Sequence, residues 1–382
     1  MTNYCIVTTV DMTMSAFIID AARFHKKNGF NITLICNMSD GFYSEYRDEF
    51  NCINIDMNRG SSVLDVLKNT YELYKIFKNK KFDMVQYATP NAAFYASIAS
   101  YFALVPKRLY CQWGIRYVGF DVGIKRKLFK FIEFITCSLS TDIRPASEKN
   151  RQFSISEKLY KKEKSDVVGK GGTIGVDLEK FNIEMKESHK ASFYENYRIN
   201  KNDFIFGYVG SLRGDKGTNE LIDAFKTISS LYDNVKLVLV GSTFDGDPIQ
   251  KDLLDWAKSS DKVLFTGRQK DTSLFISSFS VHVHPSYREG FSMVLQEAMA
   301  LKIPVITTDI PGPSEVVVKD ISGLLVAPRD SAQLRAAMVT LYLDSEMRSV
   351  LSENGFKRCV KYFGREKMLR LTHEDRLKII AS

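Results

Sequence analysis

The sequence predicts an α/β protein made of two Rossmann-like domains in tandem. Three observations carry this reading. Short β-like runs alternate with longer helical patterns from end to end, the mark of a parallel sheet covered on both faces. Several of the runs are almost continuously apolar, such as Val235-Lys236-Leu237-Val238-Leu239-Val240, as expected of a strand buried on both sides. The chain has 382 residues, and an ordinary domain takes roughly 100–200.

In order along the first half, strands are expected at 4–10, 31–37, 52–56, 82–87, 108–112, 141–145 and 165–169. Helices are expected at 16–28, 63–80, 91–104 and 125–138. The second half repeats the scheme. Strands are expected at 204–209, 235–240, 263–266, 281–284, 304–307 and 323–326, with helices at 219–232, 252–260, 273–278, 291–300 and 331–344. The polar stretch 181–203 reads as the break, so the domains are set at 1–185 and 186–361. No repeat or low-complexity tract is visible.

Composition narrows the class. Hydrophobic residues make up 45% and charged residues 26%, which excludes collagen-like and disordered chains. The longest apolar-leaning run, 92–105, is too short to span a bilayer. Met1-Thr2-Asn3-Tyr4-Cys5 lacks the basic flank of a signal peptide, so a cytoplasmic location is expected. Six cysteines without a C-x-x-C pair or clustered histidines argue against a disulfide framework or a zinc site, and no metal is expected. Residues 1–186 hold 27 Lys+Arg against 20 Asp+Glu, so nearly all of the net +8 lies in the first half. Such a balance suits a nucleic acid, an acidic membrane or an anionic substrate.

In doubly wound sheets ligands bind beyond the carboxyl ends of strands. Two segments in the second half stand there. After 204–209 comes Gly210-Ser211-Leu212-Arg213-Gly214-Asp215-Lys216-Gly217-Thr218. Its glycines let backbone approach a ligand closely, the following helix start favours an anion, and Arg213 and Lys216 add positive charge. A diphosphate cradle and a solvated glycine-rich turn fit this stretch equally well. It is not a Walker motif. After 281–284 comes Pro285-Ser286-Tyr287-Arg288-Glu289-Gly290-Phe291-Ser292, with a helix expected from 291. Glu289 precedes that helix and Glu297 sits inside it, so two carboxylates can accept hydrogen bonds from hydroxyl groups at opposite ends of one ligand.

Glu289 and Glu297 in E-x7-E spacing, within His284-Pro285-Ser286-x-x-Glu289-Gly290-Phe291-Ser292-x4-Glu297-Ala298-Met299-Ala300, resemble retaining glycosyltransferase family 4, in its bacterial surface-polysaccharide branch. Gly175-Val176-Asp177-Leu178-Glu179-Lys180-Phe181, the Gly210–Gly217 loop, and the stretches 304–309 and 323–326 fit the same family. The resemblance implies the GT-B fold, two Rossmann-like domains facing across a cleft, with a last helix, 362–382, returning to the first domain. It implies that Glu289 and Lys216 are catalytic. Gly210, Ser211, Arg213, Arg268, Gly290, Phe291, Ser292 and Glu297 would bind the donor, Glu297 through the ribose hydroxyls and Arg268 beside the base. The acceptor side would involve Asp11, Trp113 and Arg116. Ser211 stands where the family usually has a phosphate-binding arginine, with Arg213 two residues on as a substitute. Trp113 stands near the place of a family histidine.

The expected activity is retaining transfer of a hexosyl or N-acetylhexosaminyl group from a nucleotide-sugar, a UDP-sugar favoured over GDP-mannose. The nucleotide-sugar is a co-substrate, and no cofactor or metal is needed. The acceptor would be a glycan or a polyprenyl-diphosphate-linked sugar, and no nucleic acid is involved. The basic, apolar stretches 71–81 and 125–135 read either as sheet-covering helices or as helices lying on an anionic membrane, which would place the protein at the inner face of the plasma membrane. Two alternatives are a non-catalytic nucleotide-sugar-binding protein and a nicotinamide-dependent oxidoreductase. The second lacks a G-x-G-x-x-G after the first strand.

Overall fold

A computed structural model describes residues 1–57, 62–120, 122–243 and 248–382. The chain divides into two compact units, Met1–Ile174 with Glu366–Ser382, and Gly175–Arg365. The first holds β1 (Thr2–Val10), β2 (Phe30–Asn37), β3 (Asn51–Asn54), β4 (Met84–Tyr87), β5 (Lys107–Gln112) and β6 (Asp142–Pro145). They are parallel, in the order β3-β2-β1-β4-β5-β6. Residues alternate across β1, with Tyr4 and Ile6 in one buried cluster and Cys5 and Val7 in the other, so helices cover both faces. The second unit holds β7 (Phe204–Val209), β8 (Val235–Val240), β9 (Val263–Gly267), β10 (Val281–His284), β11 (Val305–Thr308) and β12 (Leu324–Val326). Their order, β12-β11-β10-β7-β8-β9, is the same doubly wound topology. In each sheet the strand order reverses at one point, between β1 and β4 and between β7 and β10.

The differences from the sequence reading have local causes. No strand forms at 165–169, where Ser165 makes only an isolated bridge to Ile143. The helix expected at 16–28 is two, Asp11–Phe17 and Ile19–Lys27, parted at Ile18. The expected break at 181–203 contains the helix Lys186–Tyr197, held by Phe193 and Tyr197 against the Phe275 ring. The units part at 174 rather than 185. Val176 N–H donates to Phe363 O and Arg365 N–H to Val176 O, which ties the linker to the second unit. The helices Asp40–Tyr46, Glu148–Ser156 and Ser345–Tyr362 were not expected.

The last helix, Arg365–Ala381, packs in the first unit through a side that is partly apolar and partly polar. Of the apolar residues Leu369, Leu371, Leu377, Ile379 and Ile380 that suggest a seam, Ile379 is buried and Ile380 packs on the core while Leu377 is exposed, and Met368, Thr372, His373 and Arg376 are buried with them. His373 Nδ1 lies 2.9 Å from His25 Nδ1, and Arg376 donates to Gln86 Oε1 at 3.1 Å. Asp375 pairs with Arg144 at 2.8 Å. Among the described residues, no helix is long and apolar enough to cross a membrane.

Candidate active site

The second unit's reversal point is where a doubly wound sheet opens a crevice for ligand. Two loops leave the sheet there, 210–217 after β7 and 285–292 after β10. Gly217 has φ +70°, and a Cβ on it would lie 2.0 Å from Pro285 O. Only glycine permits both that backbone and that approach. Gly217 also caps the helix Thr218–Leu231. Between the loops, Tyr287 N–H donates to Asp215 O at 3.0 Å and the Tyr287 hydroxyl donates to Glu220.

Lys216 Nζ lies 2.6 Å from Glu289 Oε1, and both side chains are largely buried. His284 Nε2, at the end of β10, is 3.1 Å from the same oxygen. Burial alone would raise the Glu289 carboxyl. The Lys216 charge and the His284 contact outweigh it and hold the group well below the usual carboxylate range. Glu289 is therefore a fixed anion, and Lys216 a cation whose partner is mounted on the neighbouring loop.

Arg213 is not a free substitute for the arginine missing at Ser211. Its guanidinium reaches Asp215 at 2.5 Å, and Arg288, from the other loop, reaches the same carboxylate at 2.9 Å. One carboxylate thus carries two guanidinium groups, one from each loop. Ser211 is exposed, and its carbonyl accepts from the Tyr208 hydroxyl at 2.9 Å.

The helix after β10 is Met293–Ala300, so it starts two residues later than expected. Ser292 caps it, with Oγ 3.4 Å from His284 Nε2. Phe291 turns inward onto the Phe363 ring. Gly290 is held close, since a Cβ on Gly312 would lie 2.3 Å from its carbonyl. Glu297 lies in this helix. Burial raises its carboxyl to about 7, against the opposing charges of Lys180 and Arg365. Lys180 pairs with Asp271 at 3.5 Å and Arg365 with Asp177 at 3.0 Å. Arg268 is exposed just past the carboxyl end of β9, at the rim. Gly210 begins the first loop, its N–H donating to Val240 O.

Sequence reasoning missed His284, Asp215, Arg288, Lys180 and Arg365 as parts of this site. The first four lay within segments already singled out, but pairing is not visible along a chain. Asp245 and Asp247, an Asp-x-Asp pair after β8 that the sequence reading also passed over, lie outside the described residues. Among the described residues, no group of three or more His, Cys, Asp or Glu side chains is placed to hold a metal.

The three acceptor-side candidates lie in the first unit. Asp11 opens the helix after β1 and accepts from Ser39 N–H at 3.0 Å and from its hydroxyl. Burial would raise its carboxyl, but the Ser39 hydrogen bonds outweigh that and lower it. Asp11 therefore splices two loops. Trp113 follows β5 and packs on Phe17. Arg116 donates to Asn91 Oδ1 at 3.1 Å and lies 4.1 Å over the Phe129 ring. At the reversal point between β1 and β4, Thr89 adopts φ +67°, and its hydroxyl bonds to Thr9 at both the backbone N–H and the side-chain oxygen.

Comparison with known proteins agrees across most of the chain. Residues 190–358 match the family "Glycosyl transferases group 1", and residues 5–145 match "Glycosyl transferase 4-like". The capsular polysaccharide biosynthesis glycosyltransferase CapM of Staphylococcus aureus is 29% identical over 89% of this chain and 88% of its own. An N,N'-diacetylbacillosaminyl-diphospho-undecaprenol alpha-1,3-N-acetylgalactosaminyltransferase of Campylobacter jejuni is 26% identical over 78% and 77%. Among solved structures, Anabaena HepE in complex with UDP superposes with a TM-score of 0.79 over 99% of this chain and all of that one, at 16% identity. WaaG, from lipopolysaccharide biosynthesis, superposes at 0.73 over 94% and 95%, at 15% identity. At such identities the structures speak for the fold.

Proposed function

Because the chain belongs to the GT-B glycosyltransferases, in the family 4 surface-polysaccharide branch, we propose that it moves a hexosyl or N-acetylhexosaminyl group from a UDP-sugar to a polyprenyl-diphosphate-linked acceptor, with retention at the anomeric carbon. The observation that carries this reading is the Lys216–Glu289 pair at the reversal point of the second sheet. Glu289 accepts from donor-sugar hydroxyls, and Glu297 accepts from the ribose. Lys216 meets the diphosphate, whose charge grows as the bond between sugar C1 and phosphate oxygen breaks. The acceptor hydroxyl attacks from the leaving group's side, forms the new C1–O bond, and gives its proton to the departing phosphate oxygen. No protein nucleophile, cofactor or metal enters these steps. The relative named for transfer onto a diphospho-undecaprenol sugar supports the acceptor class, and a relative from Escherichia coli whose name gives UDP-Gal, 23% identical over 87% of this chain, supports the nucleotide. Such an acceptor places the enzyme in the cytoplasm, peripherally at the inner face of the plasma membrane.

A second reading, a nucleotide-sugar-binding protein without turnover, is favoured by Ser211 and by the capture of Arg213 on Asp215. Incubation with UDP-sugars and GDP-sugars, with and without a polyprenyl-diphosphate-linked sugar, separates the two. Acceptor-dependent nucleotide release with an anomer-retained product supports transfer. Binding without release supports the second reading, and inversion ends the retaining mechanism.

A further inference from the structure

The helix Ile124–Leu139 of the first unit carries an apolar face that the unit does not cover. A helix that merely covers a sheet turns its apolar stripe inward. Here Ile124, Leu128 and Phe131, at i, i+4 and i+7, line the outer face with 86%, 53% and 59% of their surface exposed. Phe134 extends the stripe, and Val122 stands exposed just ahead of it. The inner face instead centres on Glu133, which is buried and accepts from Tyr110 Oη at 3.0 Å and from Gln112 Nε2 at 2.6 Å. Thr136 and Cys137 are buried beside it. The docked face thus holds Phe129 and Cys137 against the core around a polar centre, while Ile124, Leu128 and Phe131 are left facing solvent.

Charge says what covers them. Lys125 and Lys127 are exposed beside the stripe. Next to Phe134 opens a groove lined by Lys158, Lys161 and Lys162. Two copies of so basic a face would repel each other, whereas an anionic lipid surface would be drawn to it. The same helix reaches the acceptor-side residues, because the Arg116 guanidinium lies over the ring of Phe129.

We propose that the helix Ile124–Leu139 docks the protein on an anionic bilayer, seating Ile124, Leu128 and Phe131 among the lipid headgroups with the lysines around them. The purpose of this docking rests on the lipid-linked acceptor proposed above, but its geometry does not.

The test uses the full chain and vesicles of phosphatidylglycerol with phosphatidylcholine, against phosphatidylcholine alone. The wild-type protein is expected to cosediment with the anionic vesicles and to be released by salt. The double variant Leu128→Ser/Phe131→Ser is expected to lose roughly tenfold or more in partitioning, with its melting temperature and UDP affinity unchanged. The fluorescence of a Phe131→Trp variant is expected to shift to the blue on vesicles and to be quenched by brominated lipid. No wild-type binding, equal binding by the double variant, or an indole signal indifferent to vesicles would overturn the proposal. So would concentration-dependent dimerisation that the double variant abolishes. Vesicle binding by a protein that transfers to no lipid-linked sugar would leave the docking helix standing and end the acceptor reading.

Discussion

Removing Lys216 is expected to damage the fold modestly and the reaction severely. In the ligand-free protein the ammonium faces Glu289 at 2.6 Å, with the side chains 21% and 17% exposed. Exposed ion pairs contribute roughly 0–1 kcal/mol, and breaking a buried one costs roughly 3–5 kcal/mol. At about one-fifth exposure a Lys216→Ala loss of about 2 kcal/mol is expected, because His284 still contacts the stranded carboxylate. In turnover the same ammonium meets the charge that grows on the leaving diphosphate. Loss of a preorganised partner of that kind costs about 10²–10³ in kcat, or about 2.7–4 kcal/mol. Glu289→Gln keeps the shape and removes the charge, so it separates the two effects. Denaturant melts give the first quantity, and steady-state nucleotide release at saturating donor gives the second. The double variant is expected to lose less than the sum of the singles, since the residues share one contact. Full kcat in both single variants, with stability reduced as expected, would show that the pair only staples two loops, and the site assignment would fall.

Three further outcomes follow from the same geometry. Glu297 is held protonated up to about pH 7 by burial, and ribose hydroxyls need its ionised form. UDP affinity is therefore expected to rise as pH goes from 5.5 to about 7.5, with proton release visible as buffer-dependent binding enthalpy; in Glu297→Gln both effects should vanish. Folding runs the other way: the raised carboxyl favours the native state below its unfolded value, and this advantage is lost as pH climbs through about 7. Asp215→Ala frees Arg213 and Arg288 together, and at least a fewfold rise in the donor KM is expected, with Asp215→Glu recovering part of it. An unchanged KM in the alanine variant would remove Asp215 from the loop architecture. Gly217→Ala puts a methyl group 2.0 Å from Pro285 O at φ +70°, and a loss of at least about 2 kcal/mol in a urea melt is expected; a melt like the wild type would mean that the loops are not interlocked.

Much of this architecture was legible along the chain for a physical reason. Strands such as Val235–Val240 are buried on both faces, so their composition alone declares them. Ser273–Ser278 and the helix Val63–Lys80 fell where the pattern placed them. Lys186–Tyr197 was hidden because two aromatics on a charged helix suffice once Phe275 meets them, and that partner is some eighty residues away. In the candidate site, glycine spacing and the paired glutamates pointed to the two loops that the fold brings together. That Asp215 holds Arg288 as well as Arg213 depends on two loops about seventy residues apart, and that His284 turns back onto Glu289 depends on how the loop 285–292 folds, neither of which a local pattern records. Trp113 and Asp11 read as acceptor-side groups, yet both have structural contacts, with Phe17 and with Ser39. The sequence reading offered the basic helix as a sheet cover or a membrane element, and only burial shows that Ile124, Leu128 and Phe131 stay uncovered while Phe129 and Cys137 pack inward.

The final helix has a consequence for how the molecule is made. Its His373, Asp375 and Arg376 complete a unit whose first strand is synthesised more than 350 residues earlier. Residues 175–365, made between the two parts of that unit, form the other one. During synthesis the later-encoded half can close first, while the earlier half waits with its Tyr4–Gln86 face uncovered. A nascent chain stalled before residue 366 should therefore expose one finished lobe and one that proteases still cut.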